Sequence, residues 1–269
     1  DTLDGKEYQI KSKVVVNATG VFVDDVMKMD ECDTRRKVRP SQGVHLVVDS
    51  KFLGGRSALM IPKTKDGRVL FGVPWHGKVV LGTTDSPLNE ASLEPRALEE
   101  EVDFILDQAG QYLDRKPTRA DVLSIFAGLR PLAAPTHADS KKTKEISRNH
   151  KIYRSKSGLL TITGGKWTTY RAMAEDVINQ AIVIGGLSPA ECVTKNLRVH
   201  GYTKEQFDEN DWNYVYGSDA DKIQKMIEKE PSFAEKLYEG YTFTAAHVVW
   251  AAREEFAQNI EDVLARRVR

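Results

Sequence analysis

Four places in the 269 residues combine residue types that can do chemistry. Asn17-Ala18-Thr19-Gly20 closes the run Val14-Val15-Val16, so a glycine and small side chains stand where backbone amides can approach a phosphate or ribose. His45 lies in the run Val44-His45-Leu46-Val47-Val48, and strand alternation sets it on the face opposite Val44 and Leu46. Ala127-Gly128-Leu129-Arg130-Pro131-Leu132 holds an arginine between an apolar strand and a proline, a setting that suits a bidentate grip on phosphate or carboxylate. Gly164-Gly165-Lys166-Trp167-Thr168-Thr169-Tyr170-Arg171 follows the apolar strand Leu159 to Thr163. Glycines entering a helix leave free amides that, with the charge of Lys166, suit an anion. The spacing is not that of a P-loop, because no glycine stands at the required distance before the Gly-Lys pair.

Each motif taken singly also has a plain structural reading. The first is equally a strand-to-helix turn, the last an N-capped helix with a tight entry, and Arg130 equally the cation of a buried salt bridge. His45 is equally a half-buried strand histidine. Gly82-Thr83-Thr84-Asp85 can line a pocket but reads foremost as turn chemistry, and the acidic face Glu99, Glu100, Glu101 and Asp103 as a solvated helix surface.

The elements that must position these residues follow from patterning. Val14 to Val16 reads as a buried strand, followed by a helix from Val23 to Met29. Val44 to Val48, Ala58 to Ile61, Val69 to Val73 and Val79 to Gly82 are strand-like, joined by links holding Gly54-Gly55, Asp66-Gly67 and His76-Gly77, which predicts an antiparallel meander. A helix is expected with Pro95 in its first turn, Leu98, Val102, Ile105, Leu106 and Ala109 on one face, and Gly110 as a left-handed cap. Strands at Leu123 to Ala127 and Leu159 to Thr163 flank a polar stretch, Thr136 to Asn149, that reads as an exposed loop. After Gly164-Gly165 a helix begins, with Tyr170, Met173, Ala174, Val177, Ile178, Ala181 and Ile182 on one face, and it ends at Gly185-Gly186 and Pro189. Beyond about residue 200 only helical patterns remain, at Ala220 to Lys229, Phe233 to Tyr238, Thr244 to Gln258 and from Asn259 onward.

Composition narrows the chemistry. Thirty-nine basic residues balance thirty-nine acidic ones, so no global field draws nucleic acid or an anionic membrane, and an anion must be gripped locally. Cys32 and Cys192 lack metal-site or disulfide-framework spacing, and a reducing cytoplasm fits them. No apolar run approaches the roughly 18 to 20 residues of a membrane span.

The motifs in their order, with Val23-Asp24-Asp25, Ser41-Gln42-Gly43-Val44-His45, Ile61-Pro62-Lys63 and Gly82-Thr83-Thr84-Asp85 between them, resemble the FAD-dependent, quinone-linked glycerol-3-phosphate dehydrogenase family. Val248 to Glu255 and Glu261 to Arg267 resemble that family's helical C-terminal domain. The resemblance implies an α+β chain: residues 1–195 form an antiparallel-sheet substrate domain with remnants of an FAD-binding α/β domain, and residues 196–269 a small all-helical domain. Family members open with a GxGxxG unit that holds the FAD pyrophosphate, and no such motif is present. The chain is therefore expected to be a C-terminal portion that alone binds FAD poorly and is inactive.

The resemblance further implies site roles. Arg130 and Lys166 would hold the phosphate of sn-glycerol 3-phosphate or polarise its oxygens, and His45 would assist the hydroxyl proton. Ala18, Thr19 and Gly20 would line the FAD diphosphate or ribose. Gly128 and Leu129, with Gly164, Gly165, Trp167 and Thr168, would contact FAD, the segment from Gly164 to Thr168 stabilising charge at the flavin pyrimidine. Electrons would pass to quinone, with peripheral association at the inner face of the cell membrane and no nucleic acid partner. Competing readings are a glycerol-3-phosphate oxidase using O₂, although no added insertion is evident, and a helical interaction module at a membrane surface. A relative oxidising an amino acid fits less well, because a substrate carboxylate needs no second cation at Lys166.

Overall fold

The structure, a computed structural model, describes residues 1, 3–134, 149–205 and 211–268. Residues 136–148 of the expected polar loop lie outside the described residues. The chain divides into two compact units, Asp1–Lys195 and Asn196–Arg269.

In chain order the first unit holds β1 (Val16–Asn17), α1 (Val23–Asp30), β2 (Val38–Asp49), β3 (Leu59–Ile61), β4 (Leu70–Trp75), β5 (Lys78–Gly82), β6 (Ser86–Pro87), α2 (Glu99–Gly110), β7 (Val122–Ala133), β8 (Lys151–Arg154), β9 (Leu160–Thr163) and α3 (Tyr170–Ile184). Two sheets result. In the small one β1 runs parallel to β9, and β9 antiparallel to β8. Leu160 and Ile162 of β9 pack on Val177 and Ala181 of α3, leaving Thr161 and Thr163 on the other face.

The large sheet is antiparallel, but it is a meander only through β3, β4 and β5; β2 pairs with β5, not with β3. The link holding Gly54-Gly55 therefore crosses two strands instead of joining neighbours. It has the length to do so, since it begins with a 3₁₀ turn, Ser50–Phe52, and buries Phe52 in the core. The β4–β5 link is a true tight hairpin, with His76 and Gly77 both at positive φ (48° and 70°). On one face of this sheet Val44, Leu46, Val48, Ile61, Leu70, Val79 and Leu81 pack against Val102, Ile105, Leu106 and Ala109 of α2. Each such buried side chain contributes roughly 1.5–3 kcal/mol, so this layer is the main stabilising core of the unit.

Several boundaries differ from those expected. β2 and β7 are longer than their apolar runs because Pro40 and Pro131 face each other across the ladder. In that placement the two missing donors coincide and do not interrupt separate rungs. Pro95 precedes α2, and Gly110 is its last residue without a left-handed φ; a Cβ there would stand 2.4 Å from Lys116 Cγ.

The second unit is helical, with α4 (Ala220–Lys229), α5 (Ala245–Glu254) and α6 (Ile260–Arg266). Phe233 to Tyr238 does not form the expected helix; only a 3₁₀ turn, Pro231–Ala234, appears, and Lys236 forms a bridge to Thr244 instead. Tyr216, Ile223, Phe243, Ala246 and Trp250 make its core. No helix of the described residues is long and apolar enough to cross a membrane.

Candidate active site

The face of the large sheet opposite α2 carries the chemistry. Register places Ser41, Gly43 and His45 of β2 across from Arg130, Gly128 and Phe126 of β7, and His45 across from Gly82 of β5. Directly opposed residues share a face, so Arg130 and His45 emerge on the same side. Leu129, paired with Gln42, has its side chain on the opposite face of the sheet from Arg130.

Two glycines let these side chains lie flat. The Arg130 guanidinium covers Gly43, where a Cβ would stand 2.2 Å from a terminal nitrogen. The His45 imidazole covers Gly82, where a Cβ would stand 2.2 Å from Cδ2. His45 also stacks on Phe126, with ring centroids 5.0 Å apart and planes 12° from parallel. Burial foremost, and the Arg130 charge second, hold the His45 pKa below its ordinary value. Neutral at pH 7, the imidazole can accept a proton.

Arg130 is held by a short bulge. β5 leaves β2 at Gly82 opposite His45, and β6 rejoins it at Ser86 opposite Gln42, so two residues of β2 lie opposite three, Thr83 to Asp85. Arg130 donates to Thr83 Oγ1 at 3.0 Å and pairs with Asp85 at 3.6 Å. Ser41 donates to the same carboxylate. The Arg130 side chain as a whole is 35% exposed.

Beneath the bulge lies Glu101, expected on a solvated surface but only 3% exposed. Its carboxylate accepts from Gln42 Nε2 (2.7 Å), Thr84 Oγ1 (2.8 Å), Ser86 Oγ (2.6 Å) and the Leu98 amide (3.0 Å). Burial alone raises its pKa, but those hydrogen bonds outweigh burial and hold the group below its usual range, hence ionised. Thr84 Oγ1 accepts in turn from the Val44 amide at 3.0 Å, replacing a ladder bond lost at the bulge.

The small sheet supplies a second feature. The carboxyl ends of the parallel pair β1 and β9 lead side by side into Asn17-Ala18-Thr19-Gly20 and Thr163-Gly164-Gly165, the position at which α/β sheets bind ligands. Asn17, 2% exposed, donates to the Val23 carbonyl (2.9 Å) and Thr161 Oγ1 (3.2 Å) and accepts from Thr19 Oγ1 (2.8 Å), which fixes the first turn. Gly20 takes φ 63° and has open space where a Cβ would be. The 3₁₀ turn Gly20–Phe22 packs against β2 and β7 of the large sheet. Gly164 and Gly165 both have positive φ, and α3 begins only at Tyr170, after a 3₁₀ turn Trp167–Thr169 in which Lys166 and Thr169 cap each other. The glycines are thus not the first residues of the helix, as the sequence suggested. Lys166, Trp167 and Thr168 are exposed, and among the described residues no ion pair or hydrogen bond joins the Lys166 side chain to the sheet face.

Against that geometry the comparisons are direct. The FAD dependent oxidoreductase model matches residues 1–171, and the model of the C-terminal domain of alpha-glycerophosphate oxidase matches residues 160–269. The chain belongs to the FAD dependent oxidoreductase family. A mitochondrial glycerol-3-phosphate dehydrogenase of Arabidopsis thaliana is 40% identical over 299 residues, covering 100% of this chain and 47% of that protein. The mitochondrial enzyme of Bos taurus is 37% identical over 290 residues, covering 100% of this chain and 39% of its own length. The glycerol-3-phosphate dehydrogenase of Bacillus halodurans, solved with FAD, superposes with a TM-score of 0.82 at 30% identity, over 99% of this chain and 55% of that one. The chain spans about half the length of the relatives it matches.

The residues present fit an FAD. Thr163, 2% exposed, has a side-chain hydroxyl without a hydrogen-bond partner among the described residues, immediately before two glycines whose backbone conformation excludes bulk. An orphaned buried hydroxyl costs about 1–3 kcal/mol unless a ligand supplies its partner. Asn17 to Gly20 and Thr163 to Thr168 are the residues that would hold the group. Ser41, Thr83 and Asp85 stand in motifs that carried the resemblance without being given a role, and Glu101 was expected on a solvated surface; the structure brings all four to the bulge beside Arg130.

Proposed function

We propose that this chain is the C-terminal portion of an FAD-dependent glycerol-3-phosphate dehydrogenase that oxidises sn-glycerol 3-phosphate to dihydroxyacetone phosphate. The observation that supports it most is the seating of Arg130 and a neutral His45 side by side over Gly43 and Gly82. Bound FAD supplies the hydride acceptor. The chain's own residues do the rest. Arg130, presented by the bulge, binds the substrate phosphate. Because Asp85 already offsets part of its charge, a dianion needs a second cation, and Lys166 is assigned that part. His45 takes the proton of the 2-hydroxyl, which its depressed pKa permits at neutral pH. Amides from Gly164 to Thr168 stabilise negative charge on the cofactor side, and Ala18 to Gly20, with the Gly128 backbone, line its path.

In this reading electrons pass to a quinone at the inner face of the cell membrane. The match of residues 160–269 to a domain of alpha-glycerophosphate oxidase favours a second acceptor, O₂. Turnover assays on the FAD-loaded parent protein separate the two. Glycerol 3-phosphate with a soluble quinone should give rapid turnover and little hydrogen peroxide, while glycerol without phosphate should give almost none. Abundant peroxide without quinone reduction overturns the dehydrogenase assignment, and equal rates with glycerol overturn the phosphate site.

A further inference from the structure

Glu101 is a buried carboxylate that caps the start of α2 through the Leu98 amide and, beyond that cap, reaches the large sheet. It lies on α2, on the core side of the large sheet, and four donors surround it: Gln42, Thr84, Ser86 and the Leu98 amide. Burying an ionised group costs several kcal/mol unless its hydrogen bonds are complete. Here three of the four come from side chains at the bulge or directly across from it. Ser86 is the first residue after the bulge, Gln42 its partner on β2, and Thr84 the centre of the bulge. The opposite side of the same bulge holds the Arg130 guanidinium through Thr83 and Asp85, and its first neighbour, Gly82, underlies His45. Side chains alternate along this segment: Thr84 and Ser86 point down to Glu101, Thr83 and Asp85 up to Arg130.

We infer that Glu101 is a positioning residue for anion binding: it clamps residues 84–86 from the core side and thereby fixes Thr83 and Asp85, which aim Arg130, without touching substrate itself. Without the carboxylate, Thr84, Ser86 and Gln42 each lose an acceptor on that side, while Thr84 still accepts from the Val44 amide and Gln42 still donates to the Arg96 carbonyl. Glutamine in place of Glu101 can still accept from Gln42 and the Leu98 amide, but it removes the negative charge and makes the Thr84 and Ser86 hydroxyls turn from donating to accepting, so the charge-assisted bonds that hold the bulge are lost. This rests on the proposed role of Arg130 in gripping phosphate.

The test is a double-mutant cycle on the oxidised, FAD-loaded parent protein, reading inorganic phosphate binding by calorimetry alongside melting temperature and flavin content. Glu101→Gln is expected to weaken phosphate binding about tenfold, the scale of losing one charge-assisted hydrogen bond. Arg130→Lys weakens it as well, and in the Arg130→Lys background Glu101→Gln adds less than about twofold, because both act through one group. If Glu101→Gln fails to fold, Ser86→Ala, which removes one donor and keeps the carboxylate, should weaken binding in the wild-type background and leave it unchanged in the Arg130→Lys background. A Glu101→Gln protein that melts lower yet binds phosphate like wild type overturns the inference alone, as do independent, additive losses. Phosphate binding indifferent to Arg130→Lys overturns the assignment of Arg130, and the inference falls with it.

Discussion

Replacing Gly43 by alanine is the smallest change that moves Arg130. A Cβ at that position would stand 2.2 Å from one terminal guanidinium nitrogen and 2.6 Å from Cζ, while ordinary contact begins at 3.4 Å. The guanidinium must retreat by about 1 Å or more, since packed neighbours do not interpenetrate. The 3.0 Å bond to Thr83 and the 3.6 Å pair with Asp85 cannot both survive that shift. Gly43 has no left-handed φ, so alanine is compatible with its backbone and the strand gains slightly in propensity. The perturbation is therefore confined to the arginine. A lost charge-assisted hydrogen bond is worth about 1.5–3 kcal/mol, or about 10- to 100-fold in affinity. Steady-state assays on the FAD-loaded parent protein should show KM for glycerol 3-phosphate raised by that factor, with the melting temperature within a few degrees of wild type. Wild-type KM in Gly43→Ala, with the arginine displaced in its crystal structure, would refute the claim that this seat aims Arg130 at the substrate.

Three further outcomes follow from individual side chains. Thr163→Val removes the orphaned buried hydroxyl, so this chain should become more stable by about 1 kcal/mol in urea unfolding, while the parent protein retains FAD less tightly; equal FAD retention would dissociate Thr163 from the cofactor. His247 is buried, its Nδ1 accepts from the Thr244 amide at 2.9 Å, and its Nε2 lies 2.9 Å from Asn213 Oδ1. Burial, partly opposed by the Thr244 backbone and by Asp211, holds its pKa below the ordinary value, and His45 is lowered too. The unfolded chain then binds protons more readily, so stability is full above about pH 6.5 and falls as pH drops toward the folded-state pKa values. Melting curves between pH 7.5 and 5 should show this loss, reduced in His247→Gln; a melting temperature independent of pH would contradict it. Phe256, 85% exposed, sits at φ 57° just past α5, where the Ala257 amide bonds back to the Ala251 carbonyl. Phe256→Gly should stabilise the chain by about 1 kcal/mol, and a lower melting temperature would contradict that account.

What the sequence made legible was what depends on short-range pattern. Alternation put His45 opposite Val44 and Leu46, and Gly20 and the pair Gly164-Gly165 marked the turns at the carboxyl ends of β1 and β9. Arg130 stood out because it broke an apolar run. Illegible were features decided by distant partners. Three consecutive glutamates at a helix start read as solvated, yet the third faces the sheet and finds its donors on β2 and β6. Thr83 and Asp85 gain their role only when β7 lies along β2. The crossing from β2 to β3 has the glycines of a hairpin without being one, because β5 competes successfully for the β2 edge. Pro40 and Pro131 lie outside the apolar runs that marked these strands, and only their mutual pairing removes the penalty of including them.

The central claim, that Arg130 grips the phosphate of a substrate whose hydrogen goes to FAD, is tested most directly by anaerobic titration of the oxidised parent protein with sn-glycerol 3-phosphate, following flavin absorbance. Wild type should bleach at low substrate, and Arg130→Ala should require a concentration higher by about 30- to 1000-fold, the equivalent of about 2–4 kcal/mol for a broken charge pair. Bleaching of Arg130→Ala at the wild-type concentration would contradict it.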